Sequence, residues 1–374
     1  MEMIQDYKIL EKIAETRGST VYRCRKGNEK NTVIIKTLKM SYPAPSEIAR
    51  FKQEYEIIKN IDLVGVIKTY DIISHDGGFA LLLEDFNGVS IESILDSKKK
   101  FDMKSFLKIA IKISETLGDL HKRDIIHKDI KPHNILINKN DGRVKIADFG
   151  ISSILTHEND EIYNPDVIQG TLLYISPEQT GRMNRTVDYR TDLYSLGVTF
   201  YEILTGVVPF ESKDPIEVIH SHIARRPLPP IERRADIPAV ISDIVMKLLS
   251  KNAEDRYQNS FGLMSDLNEC IKKLDANNRI EPFDLARHDI SNKFVIPQKL
   301  FGREKEIEIL LSAFDRVSAI PQNDKEKSGD IEIMLVAGDP GIGKSSLINE
   351  IQRPITAKRG YFISGKYEQF RKDK

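Results

Sequence analysis

The chain of 374 residues is long enough for two to three domains at about 150 residues each, and for an ordinary core without disulfide or metal staples. Hydrophobic residues at 40% and charged residues at 30% exclude wholesale disorder, and 56 basic against 56 acidic residues leave no net field that would draw it to nucleic acid or an anionic membrane. Its two cysteines, Cys24 and Cys270, are too few and too far apart for a disulfide framework or a zinc site, and read as thiols of a reducing compartment.

The opening MEMIQDYKIL lacks the basic stretch and apolar run of a secretory signal. The most apolar later segment, Leu193 to Leu204, carries Ser195 and Glu202 and is too short and polar to span a bilayer. A cytoplasmic protein without membrane insertion is expected.

In chain order, Tyr7 to Ile13, Thr20 to Arg25 and Val33 to Thr37 are β-branched or aromatic-rich strand candidates, with Gly27 and Asn28 as turn chemistry. Phe51, Tyr55, Ile58 and Ile61 predict a helix over 48–61. A turn at Gly77-Gly78 precedes an apolar strand candidate, Phe79 to Phe86. From Phe101 onward helical spacing dominates, with Phe106, Ile109, Ile113, Leu117 and Leu120 in one stripe. Strands first and helices after predict an α+β fold with two unlike lobes. The segment from about Asp275 to Gln298 is polar, with Pro282 and Pro297, and reads as a linker. A helix over 303–317 follows, with Ile307, Leu310, Leu311 and Phe314 on one face. After a polar break at 321–330, IEIMLVAG (331–338) reads as a strand leading through a glycine-rich turn into another helix.

The chemistry concentrates in HKDIKPHNILIN, residues 127–138, and VKIADFG, residues 144–150. Phosphoryl transfer needs a carboxylate to orient the attacking hydroxyl, oxygen ligands for magnesium, and cations over the phosphates. Asp129 can be that carboxylate and Lys131 a cation beside it, while Asn134 and Asp148 offer oxygens to hard Mg²⁺. Each of these residues could be a cap or turn former by local chemistry alone; their order and spacing carry the argument. His121, His127 and His133 have no nearby cysteine and no HExxH arrangement, which disfavours a metal site.

Residues 126–134 and 148–150 resemble the catalytic loop and DFG segment of eukaryotic-type protein kinases, and Lys131 resembles the serine/threonine branch. The resemblance runs in order from Tyr7 to Leu274. It implies a two-lobed kinase fold and places the phosphate-anchoring lysine at Lys36 with Glu54 as its ion-pair partner. It implies an inter-lobe connection at Leu83 to Phe86, a buried anchoring helix headed by Asp192, and a pair between Glu178 of SPE (176–178) and Arg256. Nucleotide contacts implied in the same way are Ile13, Val21, Lys36, Glu54, Glu84, Phe86 and Leu136, and His127 becomes a packing residue under the catalytic loop.

Some positions depart from that pattern. Ala14, Thr16 and Ser19 stand at the family's three glycines, with only Gly18 nearby, which keeps room for phosphates but loses backbone freedom. Ile34 stands where alanine is common over adenine. Lys128 replaces an arginine and lacks its planar fork, so control by activation-loop phosphorylation is in doubt. Between Asp148 and Glu178, Ser152, Ser153, Thr156, Tyr163 and Thr171 are possible sites, Thr171 resembling the family threonine that contacts the catalytic Asp.

A second nucleotide motif, GDPGIGKSS (338–346), fits the phosphate-loop template through Gly338, Gly341, Gly343, Lys344 and Ser345. FGREKEIEILLSAF upstream resembles the leading helix of AAA-like signalling ATPases, and 175–202 with 356–370 resemble large multi-sensor histidine kinases. Few residues follow Lys344, so the second module reads as an incomplete start, and no histidine-kinase phosphoacceptor can be quoted. The expected organisation is a kinase domain over 1–275 (N-lobe about 1–86, C-lobe about 87–275), a linker over 276–300, and the first part of a P-loop ATPase domain over 301–374. The expected function is ATP- and Mg²⁺-dependent phosphorylation of protein Ser/Thr hydroxyls in signal transduction. Its expected partners are protein substrates and downstream signalling modules of the same or a longer chain. The rivals are a catalytically weak kinase-like switch that controls an adjoining ATPase, and an NTPase scaffold acting through that second module.

Overall fold

The strand-rich opening forms one antiparallel sheet. The computed structural model describes residues 3–15, 18–39, 45–75, 78–98, 100–154, 172–181, 187–289, 302–318, 331–339, 342–351 and 354–355. Strands β1 (Met3–Ile4), β2 (Tyr7–Glu15), β3 (Ser19–Lys26) and β4 (Thr32–Leu38) precede helix α1 (Pro45–Ile58). Strands β5 (Thr69–His75) and β6 (Gly78–Glu84) complete the sheet, in the order β1-β2-β3-β4-β6-β5. Register irregularities in β2 between Ile9 and Glu11 and between Lys12 and Ala14 accompany a curled sheet. The curl lets Gln5 Nε2 donate to Ser74 O at 2.6 Å, joining the β1–β2 turn to the edge strand β5.

Side-chain alternation sorts the two faces of this sheet. Ile4, Cys24, Ile35, Ala80 and Leu82 are buried together inside the curl. Val21 pairs with Lys36 and Lys36 with Leu81, so these three share the opposite face. Helix α1 covers that side through Phe51, Glu54, Ile57 and Ile58, all buried. The expected stripe ran through Tyr55, which is half-buried; the observed one runs through Glu54. A carboxylate inside an apolar stripe must find a cation.

Below lie β7 (Gly88–Ser90), α2 (Ile91–Asp96), α3 (Met103–His121), β8 (Ile125–Ile126), β9 (Ile135–Asn138), β10 (Val144–Ile146) and β11 (Ser153–Ile154). Helices α4 (Arg190–Thr205), α5 (Pro215–Ala224), α6 (Pro230–Arg233), α7 (Ala239–Leu248) and α8 (Ser260–Asn277) form the larger, helical lobe. The predicted stripe of α3 is buried throughout, and Asp102 caps the helix by accepting from Ser105 N at 2.8 Å. Helix α4 is apolar almost all round because it runs through the middle of the lobe. A Cβ at Gly197 would stand 2.7 Å from Leu248 Cβ, so glycine sets how closely α4 and α7 approach. The two lobes give the α+β kinase-type architecture.

The expected linker begins inside this lobe. Asp275 to Asn277 are the last residues of α8, which ends at Asn278 in the left-handed region. Ile280, Phe283, Leu285 and Ala286 then pack on the main core. Asp289 accepts from Gln258 N (2.6 Å), Asn259 N (3.0 Å) and Asn259 Nδ2 (3.1 Å), beside the start of α8. Prolines and charges suggested a free tether, whereas its few apolar residues are spaced to dock. Residues 290–301 lie outside the described residues.

The predicted helix near 303–317 is α9 (Glu304–Ser318), with Leu310 and Ala313 buried, and the helix after the glycine-rich turn is α10 (Lys344–Asn349). Residues 331–339 do not form the expected strand among the described residues; Ile331, Ile333 and Leu335 are 90%, 90% and 92% exposed. A strand needs a neighbour to receive its backbone hydrogen bonds and cover its apolar faces, and periodicity alone does not provide one. Among the described residues no helix is long and apolar enough to cross a membrane.

Candidate active site

Between the lobes, Lys36 Nζ lies 2.8 and 2.9 Å from the two Glu54 oxygens and 2.8 Å from Asp148 Oδ1. Burial works against the ammonium, but the carboxylates of Asp148 and Glu54 outweigh it and hold the Lys36 pKa above its ordinary value. Burial also opposes the Asp148 carboxylate, yet Lys36 holds that group well below the usual range. Glu54, the most enclosed of the three, is pushed up by burial despite its lysine. Asp148 takes φ +66°, a left-handed conformation disfavoured for side chains, and turns its carboxylate back toward Lys36. The strand before it is fixed to the loop after α1, with Ile146 N donating to Gly65 O (2.7 Å) and Ile67 N to Ile146 O (3.0 Å).

The catalytic-loop candidates are organised from below. Asp192, buried near the start of α4, accepts from His127 N (2.9 Å), Lys128 N (2.7 Å) and His121 Nε2 (2.8 Å). His127 is buried edge-on against Phe149 at 4.6 Å; its Nδ1 accepts from Asp129 N at 3.2 Å and its Nε2 donates to Ala147 O at 3.3 Å. Burial lowers its pKa, and with both ring nitrogens engaged it packs under the loop. Asp129 is 8% exposed. Its Oδ2 accepts from Lys131 Nζ at 2.7 Å and Asn134 Nδ2 at 2.9 Å, while its Oδ1 is buried without a hydrogen-bond partner among the described residues. Ala147 N donates to Asn134 O at 2.9 Å, which brings Asn134 beside the strand leading into Asp148. His133 bonds Glu92 at 2.6 Å, so the three histidines of this stretch have separate partners.

Arg256 and Glu178 form the expected pair, with Nη1–Oε1 at 2.6 Å and Nη2–Oε2 at 2.8 Å, both side chains buried. Ser152, one of the possible activation-loop hydroxyls, is buried and donates to His127 O at 3.1 Å, so it is a structural group. Thr156, Tyr163 and Thr171 lie outside the described residues, as does Thr16.

In the second region, Lys344 Nζ donates to Gly338 O (2.7 Å) and Asp339 O (2.8 Å), curling over its own loop. Gly343 caps α10 at φ +91°, a conformation that favours glycine. Gly341 lies outside the described residues, and only the backbone of Ser345, within α10, is described.

Residues 7–267 match the model of the protein kinase domain. The chain belongs to the protein kinase family. Residues 299–373 match the model of the AAA ATPase domain. The chain is similar to hybrid signal transduction histidine kinase G of Dictyostelium discoideum, at 32% identity over 76% of this chain and 11% of that protein. It is also similar to a probable serine/threonine-protein kinase of Clostridium perfringens (36% identity, 71% of this chain, 38% of that protein). A third relative is serine/threonine-protein kinase PknB of Mycobacterium tuberculosis (30% identity, 63% of this chain, 38% of that protein). The chain thus spans about a tenth of the Dictyostelium protein and under two fifths of the two bacterial ones.

Glu84 and Phe86, expected to meet nucleotide through backbone groups of the inter-lobe connection, use their side chains elsewhere. Glu84 Oε2 accepts from Lys145 Nζ at 2.6 Å and from Lys68 N at 3.1 Å, tying the inter-lobe connection to β10. The Phe86 ring is buried between Arg143 and Lys145, 5.4 and 5.3 Å from its centroid, and its carbonyl accepts from Asn138 Nδ2 at 2.9 Å. Ile13 is exposed on β2, Val21 lies on the Lys36 face, and Leu136 is half-buried on β9. The sequence reading missed Lys145 and Gln179. Lys145 was legible as a lysine in a strand otherwise apolar on both sides; Gln179 carried no signal beyond its place after SPE.

Proposed function

We propose that the kinase region transfers the γ-phosphoryl group of ATP to Ser or Thr hydroxyls of proteins. One observation carries the reading: among the described residues Asp129 Oδ1 is buried with no partner, while Oδ2 of the same carboxylate is held by Lys131 and Asn134. A buried acceptor of this kind is costly unless a donor visits it, and the hydroxyl of a substrate is such a donor. Asp129 would orient that hydroxyl and receive its proton, while Lys131 Nζ, 2.7 Å from the carboxylate, stands where negative charge develops. Lys36, paired with Glu54 and Asp148, would meet the α and β phosphates.

The donor set fits a hard divalent cation. Asp148 is held ionised, and Asn134, with its amide nitrogen turned to Asp129, directs its side-chain oxygen elsewhere. These two residues would hold Mg²⁺, which when bound offsets the phosphate charge. Cys24 and Cys270, both buried free thiols, agree with a reducing cytoplasmic setting. The AAA-like region, through Gly338, Gly341, Gly343, Lys344 and Ser345, is proposed as a second nucleotide site that links the kinase region to downstream signalling modules. The domain limits proposed are a kinase domain reaching at least residue 289 and an ATPase region from about 301.

The test is transfer of γ-labelled phosphate from ATP to protein, with Asp129→Asn and Lys344→Ala in parallel. Loss of label by about 10²–10⁴-fold in Asp129→Asn alone, with ADP affinity kept, is the expected result. Equal labelling by Asp129→Asn would refute the assignment.

A further inference from the structure

We infer that Gln179 is a positioning residue for Asp129, acting through the backbone carbonyl of Lys128; the inference rests on the kinase reading above. Lys128 precedes Asp129 and takes φ +66°, a conformation that a side-chain-bearing residue holds only under constraint. Its N–H end is held by Asp192 Oδ1 at 2.7 Å and its C=O end by Gln179 Nε2 at 3.0 Å. Two side chains from separate elements therefore grip the residue whose carbonyl begins the Asp129 peptide. That peptide plane sets where the Asp129 carboxylate points.

Gln179 is built for this contact. It is 2% exposed, and its Oε1 accepts from Ser176 N at 3.1 Å. Turning the amide over would set oxygen against carbonyl and NH₂ against N–H, so its orientation is fixed by its partners. Its own N–H donates to Ser176 Oγ at 3.3 Å, Ser176 Oγ lies 3.3 Å from Thr191 Oγ1, and Thr191 Oγ1 donates to Glu178 Oε1 at 2.9 Å. Glu178 is in turn held by Arg256. The grip on Lys128 thus depends on the turn that closes the activation segment being seated on α4. Seating of that turn and alignment of Asp129 become one event, without a charge on the segment and without the arginine that Lys128 replaces.

Two near-isosteric variants test this. Gln179→Met removes the donor and the acceptor. Gln179→Glu sets a carboxylate against the Lys128 carbonyl when ionised, but can donate again when protonated. The readouts are kcat and ATP KM from pH 6 to pH 8.5, ADP affinity, thermal melting, and amide exchange at Lys128 and Asp129. We expect kcat about tenfold lower in Gln179→Met at all pH, with ATP KM and ADP affinity unchanged and melting lowered by only a few degrees for the two lost hydrogen bonds. In Gln179→Glu the kcat ratio to wild type should rise as pH falls. Glu178, Arg256, Arg190 and Asp192, the charged groups of the same network, are common to both chains and cancel in that ratio. An unchanged kcat in both variants, or parallel loss of kcat, ADP affinity and melting temperature, overturns the inference. Should the wild-type chain transfer no phosphate, the kinase reading fails. Faster exchange confined to Lys128 and Asp129 in Gln179→Met would then preserve the grip itself, and unchanged exchange would remove it too.

Discussion

Replacing Arg256 by Met would strand the Glu178 carboxylate inside the C-lobe, and the size of the effect follows from the contacts. Arg256 donates to both Glu178 oxygens and to the carbonyls of Ser250 (2.8 Å), Arg190 (3.0 Å) and Lys251 (3.2 Å). Removing one partner of a buried pair costs about 3–5 kcal/mol, because the remaining charge loses its counter-ion while staying out of water. At about 2–4 °C per kcal/mol for a domain of this size, the melting temperature should fall by roughly 10 °C. Burial opposes the Glu178 charge, but Arg256 holds its carboxyl below the ordinary range. Its contribution is therefore present above the unfolded carboxyl pKa and is lost as pH falls through the lower folded value. In Arg256→Met that acid-side dependence should weaken, because the carboxyl no longer has a cation to keep it ionised. The assay is melting followed by circular dichroism from pH 3 to pH 7, beside Glu178→Gln and the double variant. The double variant should lose less than the sum of the two singles. A shift below about 3 °C in Arg256→Met, or strict additivity, would show that the pair is not what holds the SPE turn to the lobe.

Two further outcomes are expected. Lys251 is half-buried, donates to Tyr194 Oη and Ser221 O (both 3.2 Å), and burial followed by Arg256 lowers its pKa to about 7. The unfolded chain then binds more protons between pH 7 and the ordinary lysine value of about 10.4, so stability rises across that window and the penalty is fully present below pH 7. Lys251→Met should flatten that rise and raise the pH 7 melting temperature by a few degrees, on the order of 1–2 kcal/mol; a lower melting temperature would sink this. Asp289→Ala removes three hydrogen bonds at the start of α8 and should cost about 1–2 kcal/mol in chemical denaturation, with faster amide exchange over 279–289. Unchanged exchange there would show that apolar packing alone docks the segment.

The residues whose spacing is dictated by chemistry were legible before any coordinates. Lys131 and Asn134 meet on Asp129, Asp148 meets Lys36, and Lys36, Glu54, Asp192, Glu178 and Arg256 form the ion pairs and anchors expected of them. What depended on tertiary context was not legible. Glu54 interrupts the apolar stripe of α1, so periodicity shifted the stripe onto Tyr55. Glu84 and Phe86 occupy the expected connection, whose contacts were expected from backbone groups, and the engagement of both side chains with Lys145 was not legible. β5, TYDIISH, was passed over because its buried and exposed residues do not alternate cleanly, and a register irregularity between Thr69 and Asp71 is the reason. The apolar run 331–338 had the composition of a strand, but no strand pairs with it among the described residues.

The docked segment after α8 also decides where mechanical load would enter the molecule. Helix α8 has 18 residues, so its two ends are about 27 Å apart, and the chain returns along the lobe to Asp289 beside the first of them. Tension on anything joined beyond residue 289 is therefore borne first by the three hydrogen bonds of Asp289, with α8 lying off the load path. It would be delivered next to Gln258, whose side chain accepts from Arg190 at 3.0 Å, one residue from the threonine that braces Glu178. Load entering at Asp289 would reach the same corner of the lobe that seats the SPE turn.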